Sequence, residues 1–306
     1  MLTDNSVAGF ILKPEDFRMT GHDLARPECI LAHPSGALVV ADRRGAFTHI
    51  APDGTQRLFG RQKALPNGMA MMRDGSVLVA NIETGQLFRV VQNGEEVLVA
   101  AAIGDDQIGS LNFVYVDHQD RIWLTVSTRT IPRRAALEKA IPDGMLLRMD
   151  EVGRLTVVAR DLFFPNEVRV TEDGRTLYIA ETTAGRVLRT ELDSAGMPLG
   201  FAPYGRSPLF DGAQIDGITL DSLGNLWVTE LTRNALLVVR PDGTHHIAFD
   251  DPEGQVLKLP TSITFGGPDL RTAYVGSLVQ KRLPTFNAPV PGASQPYWGI
   301  ARDIFA

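Results

Sequence analysis

Apolar and polar positions alternate along most of this chain, in short runs separated by pairs such as Asp-Gly or Gly-Asn. A period of two puts successive side chains on opposite faces, so each run predicts a strand and each pair a tight turn. Glycine supplies the positive φ that such turns need, as at Asp53-Gly54, Asp74-Gly75, Asp173-Gly174 and Asp242-Gly243. The runs are grouped. Six times a small or polar residue opens an alternating strand, a turn follows, and a second strand returns. The openings are Pro27-Glu28 before CILAHPSGALVVAD, Pro66-Asn67-Gly68 before MAMMRDGSVLVAN, and Leu111-Asn112 before FVYVDHQDRIWLTV. They continue with Pro165-Asn166 before EVRVTEDGRTLYIAE, Asp216-Gly217 before ITLDSLGNLWVTE, and Pro260-Thr261-Ser262 before ITFGGPDLRTAYVG.

The anchors Glu28, Asn67, Asn112, Asn166, Asp216 and Thr261 lie 39, 45, 54, 50 and 45 residues apart. A repeat of this length with several short strands per unit predicts an all-β fold, a six-bladed β-propeller with four antiparallel strands per blade. A closed ring has no internal boundary, so residues 1–306 are expected to form a single domain. In the first unit the alternation places strands at 37–41, 47–50 and 55–59. Runs such as LVVA, IWLTV and LWVTE are apolar on both faces, as expected for second strands packed between neighbouring blades. The segment 8–12 is expected to add a strand to the last blade and close the ring, removing an exposed edge. The excursion 127–143, with its RRAALEKA core, is expected to form a short helix over the channel mouth. Residues 194–213 and the Pro-rich tail from 282 read as irregular.

Composition narrows the class. Apolar residues make up 44% of the 306, enough for a large core, and 29 glycines with 19 prolines suit a chain that turns often. The formal charge is −6 with no basic stripe, so nucleic acid is not an expected partner. No apolar run approaches the roughly 18 residues of a membrane helix, and the first residues have no basic n-region or adequate h-region. Cys29 is the only cysteine, so no internal disulfide forms. A reducing compartment fits, and the expected location is cytoplasmic, with no membrane partner. Cys29 itself reads as a buried, inert thiol.

Equivalent positions of a ring meet at its axis, so the anchors predict a cluster of oxygen-bearing side chains. Glu28, Asn112, Asn166 and Asp216 would supply two carboxylates and two amide carbonyls. Such a set suits a hard divalent cation, Ca²⁺ first, then Mg²⁺ or Mn²⁺, with Zn²⁺ last because no histidine is an anchor. A cation with open positions can polarise a carbonyl and acidify a bound water, so a hydrolase acting on a small molecule follows. Serine chemistry is not supported, since Ser127, Ser262 and Ser277 lack a G-x-S-x-G elbow. No P-loop or G-x-G-x-x-G is present, and no nucleotide cofactor is expected. The histidines show no ligand spacing and read as solvated loop residues, with His22 near enough to the first anchor to reach the top face.

The segments FPNEVRVTEDGRTLYIAETTAGRVLR (164–189), DGITLDSLGNLWVTELTRN (216–234) and PTSITFGGPDLRTAYVGS (260–277) resemble the SMP-30/gluconolactonase/LRE-like family. The resemblance extends from about Arg26 to Leu283. It implies a six-bladed propeller with a divalent cation at the top of the channel, held by Glu28, Asn166 and Asp216, with Asn112 near the ion. It gives Asp216 the role of general base. Paraoxonases and diisopropylfluorophosphatase-like enzymes are similar in architecture and ligand set. The chain departs from the family pattern twice. Phe113 stands where an Asp usually follows the third-blade Asn, and Glu167 replaces the glycine of the fourth-blade P-N-G. With Ile108 and Met145, Phe113 suggests a more apolar pocket and less hydroxylated substrates.

The leading expectation is therefore a metal-dependent lactonase. Asp216 and Asn112 are its catalytic residues, and Asn67, Phe113 and Ser262 its substrate contacts. The alternatives are phosphotriester hydrolysis, an isomerase or lyase reaction on the same metal, or a non-catalytic calcium-binding propeller that serves as a binding module. Strictosidine synthase-like propellers share the YIAETTAGRVLR pattern, but Glu28, Asn166 and Asp216 together favour the metal group.

Overall fold

A computed structural model of the chain describes residues 7–61 and 65–300. The first six residues, part of the stretch read as no leader, lie outside the described residues. Six four-stranded antiparallel sheets follow one another along the sequence. Their innermost strands are Ile30–Ala32, Pro66–Met71, Leu111–Val116, Pro165–Val170, Ile215–Leu220 and Pro260–Gly266. Each touches the next, and the last touches the first, so the ring is closed. The second strands, Leu38–Ala41, Val77–Asn81, Ile122–Val126, Thr176–Glu181, Leu226–Glu230 and Thr272–Ser277, are buried almost throughout. That burial accounts for their unbroken apolar runs, since both faces meet other blades.

The ring closes at a different place from the one expected. Arg18–Thr20 pairs with Leu283–Asn287 and completes the last sheet. Residues 8–12 lie along the fifth blade instead. Leu12 N–H donates to Ala248 O (2.8 Å), and the Phe10 and Trp227 rings meet edge-on. Leu283–Asn287 and Ala202–Tyr204 are also strands, in stretches that read as irregular from their prolines. Ala202–Tyr204 is the edge strand of its sheet, where a missing N–H costs little, whereas Leu283–Asn287 is paired on both sides, with Pro284 opposite Met19. A small hairpin, Ala102–Ile103 with Asp106–Gln107, joins the second and third blades.

Two features on the lower face fix the axis. Asp117 accepts from Trp123 Nε1 (2.8 Å) and Asp221 from Trp227 Nε1 (3.0 Å), each across one hairpin. The tail then runs under the ring. Ala293 N–H bonds Leu220 O (3.0 Å), Trp298 Nε1 bonds Ala32 O (2.9 Å), and His33 Nε2 lies 3.1 Å from Ile300 O. Its Tyr297 is buried among Cys29, Met69, Met71, Phe113 and Tyr115 on the channel axis. The channel is plugged from below, so its entrance is expected at the upper end, where the anchors lie. His118 and His246, read as solvated, are tied to the carbonyls of Ser294 and Phe10 (3.0 and 3.1 Å).

Candidate functional site

Five of the six inner strands carry a register shift directly at the anchor, between Pro66 and Met69, Leu111 and Phe113, Pro165 and Val168, Ile215 and Ile218, and Pro260 and Ile263. A bulge frees a residue from the ladder and re-aims its side chain. The anchors therefore leave the alternation and turn toward the axis. Close approach of the strands explains the glycines beside them. A Cβ at Gly68 would collide with Phe113, and one at Gly217 with Thr261 O and the Ser262 backbone. Asp216-Gly217 is thus a strand position packed on the next blade.

Asn67 is the hub of the mouth. Arg26 Nη2 donates to its Oδ1 (2.8 Å), which fixes the amide so that Nδ2 faces Glu28 Oε1 (2.7 Å) and Asn112 Oδ1 (2.9 Å). Arg26 Nη1 also bonds Pro66 O (3.1 Å). The Asn112 amide is held from behind, with Nδ2 donating to Ser127 Oγ at 2.6 Å and Ser127 Oγ donating to Pro165 O at 3.1 Å. Asn166 Nδ2 leans on Thr182 Oγ1 (3.3 Å). Thr261 is spent on the scaffold, since its hydroxyl donates to the Glu28 carbonyl (2.7 Å). The structure brings Glu28, Asn67, Asn112, Asn166 and Asp216 into one buried region.

Two oxygens stand out. Glu28 Oε2 and Asn166 Oδ1 are fully buried and receive no hydrogen bond. Buried acceptors are ordinarily matched, and an unmatched carboxylate oxygen is costly. Asp216 lies with them. Burial, then the charges of Glu28 and Glu167, push its proton affinity well above the usual carboxylate range, while Arg26 and the Asn166 amide oppose this. Glu28 is pushed up to about 7, chiefly by burial, against the pull of Arg26. Mutually repelling buried carboxylates beside an orphaned amide oxygen are what a hard cation would satisfy. Among the described residues no three His, Cys, Asp or Glu side chains form a metal cluster by themselves. This oxygen set has only two carboxylates and is completed by amides.

The next residue after each anchor forms a second layer below. Phe113, given a substrate-facing place by the sequence, is 2% exposed and packed against the space that Gly68 leaves. Arg169 lies over its ring at 5.0 Å and donates to Glu167 Oε2 (2.7 Å), which also accepts from Ile218 N–H (3.0 Å). Burial raises the Glu167 carboxyl, and the Arg169 charge opposes it. Ser262 Oγ is buried near enough to favour the charged form of Glu167 but makes no well-aligned hydrogen bond. Ile108 and Met145 lie in the core between the second and third blades, so neither lines an apolar pocket. Cys29 is buried and inert, its thiol raised well above normal by burial and the charges of Glu167 and Glu28. His22 is exposed beside Asp23 at 3.3 Å.

Sequence reasoning did not single out Arg26, Ser127, Thr182 or the Glu167–Arg169 pair as site residues. Arg26 lies two residues before Glu28, and Ser127 and Thr182 directly follow second strands, so their repeat positions were available as signals.

The fold and this ring of buried oxygens define a class of six-bladed propellers with a polar site at one channel mouth. The chain belongs to the SMP-30/gluconolactonase/LRE-like family, whose model matches residues 26–279. It is similar to the pentonolactonase XacC of Haloferax volcanii, 32% identical over 68% of this chain and 65% of that protein. It is also similar to a 6-deoxy-6-sulfogluconolactonase of Pseudomonas putida, 30% identical over 45% of this chain and 46% of that protein. The matches thus span less than two thirds of either relative. Among solved structures, the calcium-binding protein regucalcin of Agrobacterium tumefaciens superposes with a TM-score of 0.72 at 20% identity, covering 90% of this chain and 94% of that one.

Proposed function

We propose that this protein is a metal-dependent hydrolase that opens a lactone at the channel mouth. Glu28, Asn166 and Asp216 would hold a divalent cation, Ca²⁺ first, with Asn112 beside them. The observation that carries this reading is the pair of buried, unmatched oxygens, Glu28 Oε2 and Asn166 Oδ1, beside a carboxyl that burial and like charge destabilise as an anion. The activities named for the two relatives, on a pentonolactone and a sulfogluconolactone, support the choice of a sugar-type lactone.

A cation bound there would polarise the ester carbonyl and make an adjacent water more acidic. The chain's own residues do the rest. Asp216 accepts the proton of the attacking water. Asn67 holds Glu28 and Asn112 in place, itself fixed by Arg26, so the oxygens need no reorganisation when substrate arrives. Ser127 and Thr182 orient the amides of Asn112 and Asn166. The tail beneath Tyr297 closes the lower end, so substrate and water share one entrance.

The test is metal analysis of the purified protein, then a lactone panel with the metal removed and restored. Chelation should abolish turnover while circular dichroism is unchanged, and restored metal should return it. Full activity in metal-free protein would overturn the reading. Turnover of a phosphotriester alone would replace the substrate class, and no turnover of any substrate at full occupancy would leave a binding propeller.

A further inference from the structure

The arginines near the mouth are unequally paired. The excursion after the third blade's second strand is pinned at its base by Asp143, whose Oδ2 accepts from Thr128 Oγ1 (2.8 Å), Arg129 N–H (3.0 Å), and both the N–H (2.9 Å) and hydroxyl (2.8 Å) of Thr130. The short helix Arg134–Glu138 follows. Its two leading arginines diverge. Arg134 is exposed and paired with Glu138 (2.9 Å), whereas Arg133 is half-buried and close enough to Arg26, Glu83 and Glu28 to feel their charges. There its charge acts on Glu28 and Glu83 and is repelled by Arg26. No hydrogen bond or ion pair is made to the Arg133 guanidinium among the described residues. Arg26, whose backbone is held at a left-handed φ of 56°, uses two donors on Pro66 O and Asn67 Oδ1 and has others to spare.

Charge counting sharpens this. Arg26, Arg133 and Arg169 match the buried carboxylates Glu28, Glu167 and Asp216 one for one. Glu83 on the rim adds one negative charge. A divalent cation would more than offset it and leave the mouth net positive. A partly desolvated guanidinium without an acceptor is a place for an oxyanion, because its planar donors match a carboxylate, sulfonate or phosphate.

We propose that the substrate carries, besides its ester, an anionic group that Arg133, backed by Arg26, receives at the channel mouth. The substrate class is thus a sugar-type lactone with a carboxylate, sulfonate or phosphate at the end remote from the ring ester. This rests on the lactonase reading above for the reaction, but the anion site itself does not.

The experiment compares three lactones that differ at that remote end: glucarolactone with a carboxylate, 6-phosphogluconolactone with a phosphate, and gluconolactone with a neutral hydroxymethyl. Wild type, Arg133→Gln and Arg133→Lys are assayed after metal loading, and calorimetry measures glucarate and gluconate binding to the metal-loaded and metal-free proteins. Wild type should favour at least one anionic lactone by tenfold or more in kcat/KM. Arg133→Gln should cut that value by about ten- to a hundredfold and leave gluconolactone within about threefold, as loss of one charge-assisted contact implies. Arg133→Lys should recover part of the loss. The anionic arm that responds identifies the group. Equal effects on charged and neutral lactones, or none, would overturn the proposal. If no lactone turns over, weaker glucarate binding in Arg133→Gln would still support the anion site while the hydrolase reading fails. Unchanged glucarate binding would overturn the anion site.

Discussion

The two faces of the ring bury carboxylates in opposite ways. On the lower face Asp221 is surrounded by donors from its own hairpin: Oδ1 accepts from Leu223 N–H (2.9 Å) and Asn225 N–H (3.0 Å), and Oδ2 from Asn225 Nδ2 (2.8 Å) and Trp227 Nε1 (3.0 Å). Asp117 is served likewise by Gln119, Arg121 and Trp123. On the upper face Glu28 has one donor, Asn67 from the next blade, for Oε1 and none for Oε2. The lower carboxylates are tied to neighbours within six residues and stabilise a turn. The upper ones meet across blades, and Glu28 Oε2 remains unmatched, which stabilises nothing until something else arrives. A buried carboxylate that its own hairpin saturates is structural, and one left short by several blades is poised for a ligand.

The largest break of this contrast is Asp216→Asn. The swap keeps the shape but removes a charge and a proton acceptor. Turnover of the best lactone should fall on the order of 10²–10⁴-fold with the fold intact by circular dichroism. Metal occupancy must be measured in the same samples. Activity within threefold of wild type at full occupancy would remove Asp216 from the chemistry.

The contrast also governs what could be read from the chain. Glu28, Asn67, Asn112, Asn166 and Asp216 were legible as one cluster because repetition places them at one structural position. Thr261 shares that position, but its hydroxyl went to the Glu28 carbonyl, a choice that only cross-blade packing decides. The side of the strand on which Phe113 lies was not legible, since the irregularity between Leu111 and Phe113 interrupts the period of two. Arg133 was hidden for another reason. Its half-buried position depends on how a long excursion anchors on Asp143, which neither periodicity nor spacing encodes. The closing strand Arg18–Thr20 is too short to show an alternation, so the pattern favours the more apolar segment at 8–12.

Next in size is a pair of variants that should separate the faces. Glu28→Gln removes a carboxylate that keeps one buried oxygen unmatched. Divalent-ion affinity, read by calorimetry, should fall by roughly a hundredfold or more, while the metal-free protein melts no lower than wild type. Asp221→Ala strands Trp227 Nε1, Asn225 Nδ2 and two backbone N–H groups. It should cost about 2–5 kcal/mol of stability in urea and leave the affinity of the folded protein for the ion unchanged. Equal behaviour of the two variants would erase the distinction between the faces.

A pH series tests the same contrast with no substitution. In the metal-free protein the Glu28 carboxyl is pushed from 4.5 up to about 7 by burial, with Glu167 adding to the rise. Between those values the folded state keeps a proton that the unfolded state has released. Stability should therefore fall as pH rises through this window. Excess Ca²⁺ should reduce the slope, because ion binding displaces that proton, and Glu28→Gln should reduce it without Ca²⁺, leaving the share of the raised Asp216 and Glu167 carboxyls. Thermal melts from pH 4.5 to 8, with and without the ion, measure it. A rise in metal-free stability across the window would contradict the burial of an unmatched carboxyl.

The smallest expected effect concerns Phe113, which separates the upper oxygens from the packed layer beneath. It is 2% exposed, lies beneath Arg169, and fills space left by Gly68. From that place it is expected to hold the Glu167–Arg169 pair rather than touch a substrate at the mouth. Phe113→Leu should therefore lower stability by about 1–2 kcal/mol, through a small void and a lost cation–π contact. The ratio of kcat/KM for gluconolactone to that for an aliphatic lactone should stay within about threefold of wild type. Substitution of a pocket residue would instead shift that ratio by roughly 1–3 kcal/mol for each group recognised. A tenfold shift toward gluconolactone would place Phe113 against the substrate and restore the apolar-pocket expectation drawn from its departure from the family pattern. An unchanged ratio with a lower melting point would assign it to the wall.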